Sequence, residues 1–405
     1  MSRHTVEVDV LIIGGGVAGL WLLARLHAGG RRALLVERDA LGSGQTVASQ
    51  GIIHGGIKYA LTGAASAASR AIADMPGAWR AAMDGRGMID LGAARVLSER
   101  QYLWTTGGAL SRLAGVAASK VIRTGVESLK PEARPACFAG ASRSIDVYAV
   151  EEQVLEPRSV VSALVVAAGG DQAAIVRGEA EVTAEGATVR HAAGEISVRA
   201  RRVVLSAGAG NAALIERGGL AGEVKMQRRP LHMVMARGVA LPTIYGHCVA
   251  GALTDKPRVT ITSQRQANGT MVWYVGGLIA EVEGVARSER EQVEFAKREL
   301  ASCVPWVNQS ATQWATLRVD RAEGLMPDGS RPDEPVIRTS ADGRTVCIWP
   351  TKLAFAPLVA ERLCAQFERE GMRDDGNSGV LLRDAAWPVP PVTPLPWDAE
   401  DVAWN

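Results

Sequence analysis

The sequence predicts an α/β fold: a parallel sheet built on a dinucleotide-binding βαβ unit, with an antiparallel sheet inserted into it. Three observations predict it. An apolar run at residues 8–13 leads directly into Gly14-Gly15-Gly16-Val17-Ala18-Gly19, which fits G-x-G-x-x-G. A second run of this kind, residues 202–211, ends in a turn of small residues. Between residues 225 and 283 the stretches LHMVMARG, RVTITSQ and TMVWYVGGLI alternate in the manner of antiparallel strands.

The first unit is the most informative. Gly14 permits the tight turn out of the strand, Gly16 clears a side chain where a pyrophosphate meets the backbone, and Gly19 lets the helix pack on the sheet. Leu20, Leu23, Ala24 and His27 fall on neighbouring helical turns. A second apolar run, 33–36, ends on Glu37, close to the usual spacing of about 20 residues for an acid that accepts from the ribose hydroxyls. That acid argues against a 2′-phosphate and does not separate NAD from FAD.

Farther along, residues 40–50 are rich in Gly, Ser and Thr and read as a loop. Residues 51–61 alternate glycine with apolar residues, and the alanine-rich stretch 64–83 reads as helix. Pro157 opens a helix over 157–168, a favoured place for proline. Strand-like runs follow at 173–177, 187–190 and 196–198, then the buried strand that closes on the turn at 207–211. Ser288 and Glu291 form a capping box for a helix over 288–303. A strand at 345–349 leads through Pro350 into a helix reaching 362. The tail from Trp387 is proline-rich, cannot be regular helix, and is expected to lie extended over the surface.

Nucleotide-type segments thus stand at both ends and in the middle of the chain. The expected nucleotide-binding domain is discontinuous, 1–75, 150–222 and 318–370. A substrate domain takes 76–149 and 223–317, and 371–405 form a C-terminal extension. With 405 residues there is room for two such cores. A net charge of +2 predicts no nucleic-acid partner. The five cysteines are dispersed without a C-x-x-C pair, so neither a metal site nor a disulfide framework is expected, and a cytoplasmic setting fits. The apolar run 10–24 is shorter than the about 20 residues that span a bilayer, so no membrane span is expected.

Four segments carry a family resemblance: IIGGGVAG with LLVE, QGIIHGGIKYA (50–60), VVLSAGAGN (203–211) and VCIWPTKLAFAPLVAERL (346–363). Together the sequence resembles the FAD-dependent oxidoreductases of the D-amino-acid oxidase superfamily. Its motifs are most similar to the glycerol-3-phosphate dehydrogenase and L-2-hydroxyglutarate oxidase branches. The resemblance implies a glutathione-reductase-like, Rossmann-type FAD-binding domain with an inserted α+β substrate domain, and hydride transfer to flavin N5. It places FAD against Gly14, Gly16, Val17, Ala18, Gly19, Glu37, Arg38, Thr46, Ser49, Gln50 and Gly51. It adds Ala207 and Gly208 in the second turn, and Pro350, Thr351, Lys352 and Leu353 against the isoalloxazine ring.

His54 matches a flavin-proximal histidine of the family. It is expected to act as general base for a hydroxyl proton, or alternatively to carry a covalent flavin link. Lys58 and Tyr59 follow on the same loop as candidate substrate contacts. Many amine and amino-acid oxidases of the superfamily carry an arginine where this chain has Met326, within Gly324-Leu325-Met326-Pro327. A thioether cannot make the bidentate carboxylate contact of that arginine. Arg321 is the expected substitute, with Arg318 and Arg331 behind it. His247 is a candidate catalytic residue, and His232 and Tyr245 are candidate substrate contacts.

The expected activity is therefore oxidation of a small-molecule CH–OH donor, such as a 2-hydroxy acid or polyol derivative. The electron acceptor is O2, a quinone or a carrier protein. A CH–NH oxidase on the same fold is the alternative, and a non-catalytic dinucleotide-binding protein is the alternative of another class. A disulfide reductase is disfavoured, because it needs a second G-x-G-x-x-G and a redox cysteine pair.

Overall fold

The computed structural model describes residues 4–56, 71–106, 125–170, 174–191, 194–218, 220, 222, 224–249, 257–372 and 387–405. The chain opens with β1 (His4–Ile13), α1 (Val17–Ala28) and β2 (Ala33–Glu37). Next come α2 (Met75–Met83), β3 (Val96–Ser98), β4 (Gln101–Thr105), β5 (Val126–Ser128), β6 (Val147–Val150) and β7 (Val154–Leu155). A run of α3 (Pro157–Ala167), β8 (Ile175–Arg177), β9 (Glu179–Thr183), β10 (Gly186–His191), β11 (Gly194–Leu205) and α4 (Asn211–Arg217) follows. The long sheet region holds β12 (Met226–Gly238), β13 (Gly246–Val249), β14 (Val259–Arg265) and β15 (Met271–Gly276). The chain continues through α5 (Val282–Ala286), α6 (Glu289–Cys303), β16 (Gln313–Gly324), β17 (Val336–Thr339), β18 (Thr345–Trp349) and α7 (Ala356–Arg369).

Two eight-stranded sheets result. In the first, β18, β11, β1, β2 and β8 run parallel, with β17 added antiparallel at one edge and β9 and β10 paired beside β11. The second is ordered β16-β12-β15-β14-β13-β4-β6-β5 and is antiparallel except where β13 meets β4. This is the α/β architecture expected, a nucleotide-type parallel sheet joined to a largely antiparallel one.

Several elements differ from expectation. The runs at 196–198 and 202–205 are one continuous strand, β11. The basic residues between them, Arg199 and Arg201, point outward and reach Glu185 and Asp9, while Ala200 between them is buried. A strand with charges on one face reads as an interruption when the apolar run alone is followed. Strands β4, β5, β6 and β16 are not among the expected elements. β16 runs unbroken across position 318, so the return to the first sheet comes after Gly324. Helix α2 packs on the nucleotide side: the Trp79 and Trp21 rings are 4.6 Å apart, and the Trp79 indole N–H donates to Ala354 O at 3.0 Å.

The tail runs along the surface as expected but is anchored into the core. Trp397 and Leu395 are buried in the main core. The backbone N–H of Leu41 donates to Pro391 O, and that of Thr393 donates back to Leu41 O. At its end Asn405 exchanges both backbone hydrogen bonds with Trp314.

Candidate active site

The last four residues of β1, 10–13, are all apolar and buried because a parallel strand is covered on both faces there. The chain then turns at Gly14, whose φ of +115° is open mainly to glycine and where a Cβ would meet Ala207 Cα at 2.6 Å. The first turn of α1 carries no side-chain cap from Gly16 itself; Thr46 Oγ1 accepts the Val17 N–H at 3.1 Å. Gly19 faces inward, where a Cβ would lie 2.1 Å from Gly14 O. The Glu37 carboxylate accepts from the Gly15 N–H at 2.7 Å and from the Asp39 N–H at 2.9 Å. Two carboxylate oxygens offer about four acceptor positions, so room remains for ribose hydroxyls.

The second turn is set by Asn211, which is fully buried. Its Oδ1 accepts from the Ala207 N–H at 2.8 Å, and its Nδ2 donates to Ile348 O at 3.3 Å, tying the Ala207–Gly208 turn to β18. Beyond β18, Thr351 is the one non-glycine of positive φ among the described residues, at 65°. A β-branched residue held there is strained, and such strain collects at functional sites. The Thr351 hydroxyl donates to Glu334 O at 3.0 Å and holds the turn.

These turns open on one cavity of about 680 Å³, lined from both sheets. Gly14, Gly16, Val17, Ala18, Glu37, Arg38, Thr46, Ser49, Gln50 and Gly51 line it, as do Ala207, Gly208, Pro350, Thr351, Lys352 and Leu353. Gly19 does not, consistent with its inward-facing position. Gln50 also ties its loop to the second sheet: its Nε2 donates to Thr260 O on β14 and Tyr274 O on β15, both at 3.0 Å.

His54, His247 and Arg321, far apart in the chain, line the same cavity. The two imidazoles stack with centroids 6.1 Å apart and planes 22° apart. His54 Nδ1 lies 3.4 Å from Glu152 Oε2, and His247 Nδ1 lies 2.7 Å from Thr260 Oγ1. Arg321 pairs with Glu281 at 3.3 Å. Burial lowers its guanidinium pKa, as do the nearby charges of Arg229 and Arg331, while Glu281 opposes the shift. Arg229 is opposite Arg321 in the β12–β16 register and holds Glu323 with two bonds, one of 2.9 Å.

Other expected site residues lie elsewhere. His232 is a correction: on β12 the neighbours Leu231 and Met233 line the cavity, so strand alternation turns His232 to the other face. There it is fully buried against Gly284 O at 2.9 Å, and burial lowers its pKa. Tyr245 is a second correction. Its ring packs with Ile52, Val154 and Leu97, and burial pushes its pKa up to about 12. Arg318 bonds Val285 O and Arg287 O, away from the cavity, whereas Arg331 lines it. Met326 does not line it. Lys58 and Tyr59 lie outside the described residues. Glu152, Thr260, Arg229 and Glu281 were not anticipated. The acid pair Glu151-Glu152 just ahead of a buried strand was the available signal for the first.

No group of metal-ligating side chains occurs among the described residues, and none of their helices is long and apolar enough to cross a membrane. The family profile of FAD-dependent oxidoreductases, DAO, matches residues 9–364. The chain is also 45% identical over 400 residues to a probable FAD-dependent oxidoreductase, PA4991, of Pseudomonas aeruginosa, covering 98% of both chains.

The chain belongs to the DAO family of FAD-dependent oxidoreductases.

The crystal structure of that Pseudomonas protein superposes with a TM-score of 0.82 over 98% of this chain and 99% of the other, at 40% identity. A stretch of 57 residues is 42% identical to the mitochondrial glycerol-3-phosphate dehydrogenase of Bos taurus, spanning 14% of this chain and 8% of that one. Two more distant structures share the fold. Glycine oxidase from Geobacillus kaustophilus gives a TM-score of 0.63 at 16% identity, covering 90% of this chain and 95% of the other. L-alpha-glycerophosphate oxidase from Mycoplasma pneumoniae, with FAD bound, gives 0.63 at 15% identity over 89% and 95%.

The DAO protein takes FAD, and its own geometry fits the cofactor. A side chain at Gly14 would fill the approach to Ala207, and the helix N-terminus beside it favours negative charge.

Proposed function

We propose that this flavoenzyme oxidises a CH–OH donor that carries an anionic group, such as a 2-hydroxy acid or a polyol derivative. The carrying observation is the pair of imidazoles, His54 and His247, facing each other at 6.1 Å in the cavity that Arg321 also lines. An alcohol becomes a carbonyl only if its hydroxyl proton leaves as well as its hydride, whereas a free-base amine can give up the hydride first and leave as an iminium ion. The alcohol therefore needs a positioned base. Bound flavin supplies the hydride acceptor. His54 receives the hydroxyl proton and the donor is left as a carbonyl compound.

Arg321 supports an anionic donor. Arg229, Arg321 and Arg331 are three of the arginines that line the cavity, and Lys352 lines it too. Glu323 is bonded to Arg229 and Glu281 to Arg321. Planar guanidinium groups suit carboxylate or phosphate oxygens.

The test is anaerobic addition of donors to the yellow protein while the visible flavin band is followed. The panel holds 2-hydroxy acids, polyol phosphates, amino acids and N-methyl amines. Bleaching by an anionic alcohol is expected. Bleaching by amines alone moves the protein to the CH–NH class, and no bleaching by any class removes the support for a small anionic donor.

A further inference from the structure

We propose that Glu152 is the positioning residue of His54, fixing which ring nitrogen is free to take the substrate proton. The proposal rests on the base role given to His54 above.

Glu152 is almost wholly buried, yet it is a carboxylate. A buried charge persists only where donors compensate it. Three converge on it, two from the histidine loop and one from β4. The Gly55 N–H donates to Oε1 at 2.6 Å, the Gln101 amide on β4 donates to Oε2, and His54 Nδ1 faces Oε2 at 3.4 Å. One carboxylate therefore ties the histidine loop to the second sheet.

The consequence for His54 follows from donor chemistry. An ionised carboxylate only accepts, so the ring nitrogen facing it must be the one that carries hydrogen. Neutral imidazole has one N–H, so the lone pair is left on Nε2, the nitrogen away from Glu152. A base needs that lone pair at a fixed place. Once it has taken the proton, the imidazolium stands beside a negative charge and gains from it. His247 is the titratable group stacked on the ring, and its own Nδ1 is engaged by Thr260.

Glu152→Gln tests this while keeping the size of the side chain. Its amide oxygen can still accept from Gly55. Gln101 has a buried Oε1 with no partner, which can accept from the new amide if Gln101 rotates. The FAD-loaded protein, labelled with 15N-histidine, is examined by NMR at alkaline pH where imidazoles are neutral. His54→Asn assigns the His54 signals. The wild type is expected to show His54 as the Nδ1–H tautomer, and Glu152→Gln to shift it toward Nε2–H, because an amide N–H can donate to Nδ1.

With a donor that bleaches the flavin, Glu152→Gln should slow reduction by about 10²- to 10⁴-fold. Donor affinity and FAD content should stay unchanged, and Glu152→Asp should restore part of the rate. A wild-type His54 in the Nε2–H form overturns the proposal, and that measurement stands even where the Glu152→Gln protein fails to fold. An unchanged tautomer with an unchanged rate in Glu152→Gln also overturns it. The two readings separate on His54→Asn. If that variant is slow while Glu152→Gln is fast, only the positioning role fails. If His54→Asn reacts at full rate, the base role fails and the proposal falls with it.

Discussion

Arg321 is the residue on which the proposed donor recognition turns. The family position expected to hold an arginine is Met326, which is outside the cavity, while Arg321 reaches it from within β16. The strand shows how Arg321 would take that place. In the register of β16, Arg321 stands opposite Arg229, and each arginine is steadied by a glutamate, Glu281 and Glu323. A hydrogen bond to a charged group is worth about 1.5–3 kcal/mol, so Arg321→Met should raise KM for an anionic donor roughly 10- to 100-fold. The kcat should change less, because an anchor held equally in substrate and transition state acts mainly on KM. Steady-state kinetics with the donor found by flavin bleaching checks this; an unchanged KM would remove Arg321 from substrate binding. At this scale the sequence was informative for residues embedded in motifs, such as Gly14, Glu37 and His54. It marked Glu152 only as one of an acid pair and did not mark Arg229, because the role of each depends on a partner distant in the chain.

Among the elements, the tail has the clearest consequence for the cofactor site. Trp397 packs on Tyr274 with ring centroids 5.5 Å apart, and the Tyr274 hydroxyl donates to Ala48 O at 2.9 Å. Val392 bridges to Leu41, and Gly42 N–H donates to Gly15 O at 2.8 Å. The tail thus braces, from behind, the loop that runs from Leu41 to Gln50 along the cavity. Trp397→Ala should cost about 3–5 kcal/mol of stability, as for other buried large-to-small changes. It should also lower the FAD retained after gel filtration. Unfolding midpoints and the flavin-to-protein absorbance ratio measure the two effects. A destabilised protein that keeps all its FAD would show that the brace does not reach the cofactor loop. The proline count predicted an irregular tail, and that held. Its burial was not readable, because Trp and Leu in a proline-rich segment look alike whether they lie on the surface or fill a gap between sheets.

Across the whole molecule, one cavity is lined by turns of the parallel sheet and by side chains of the antiparallel sheet. FAD held there by residues from both would stabilise the molecule as one unit. A ligand at about 1,000 times its Kd adds about 4 kcal/mol to the folded state. Removal of FAD should therefore lower the Tm, and titrating FAD back should raise it with the logarithm of concentration. Calorimetry across an FAD series tests this. A Tm independent of FAD would mean that the cofactor does not bind preferentially to the folded state.

By itself the sequence determined the βαβ unit, the second glycine turn, the capped helix at Ser288 and the period-two strands of the second sheet. Each of these is a local pattern, fixed by backbone freedom, hydrogen-bond geometry or side-chain alternation within a few residues. Only the tertiary structure decided which of two histidines in the second sheet met the cavity. His247 lines it and His232 does not, since a strand sends successive side chains to opposite faces. It alone also decided that Glu152 stands behind His54, because that contact joins a loop to a segment nearly a hundred residues on, a distance over which no local pattern carries information.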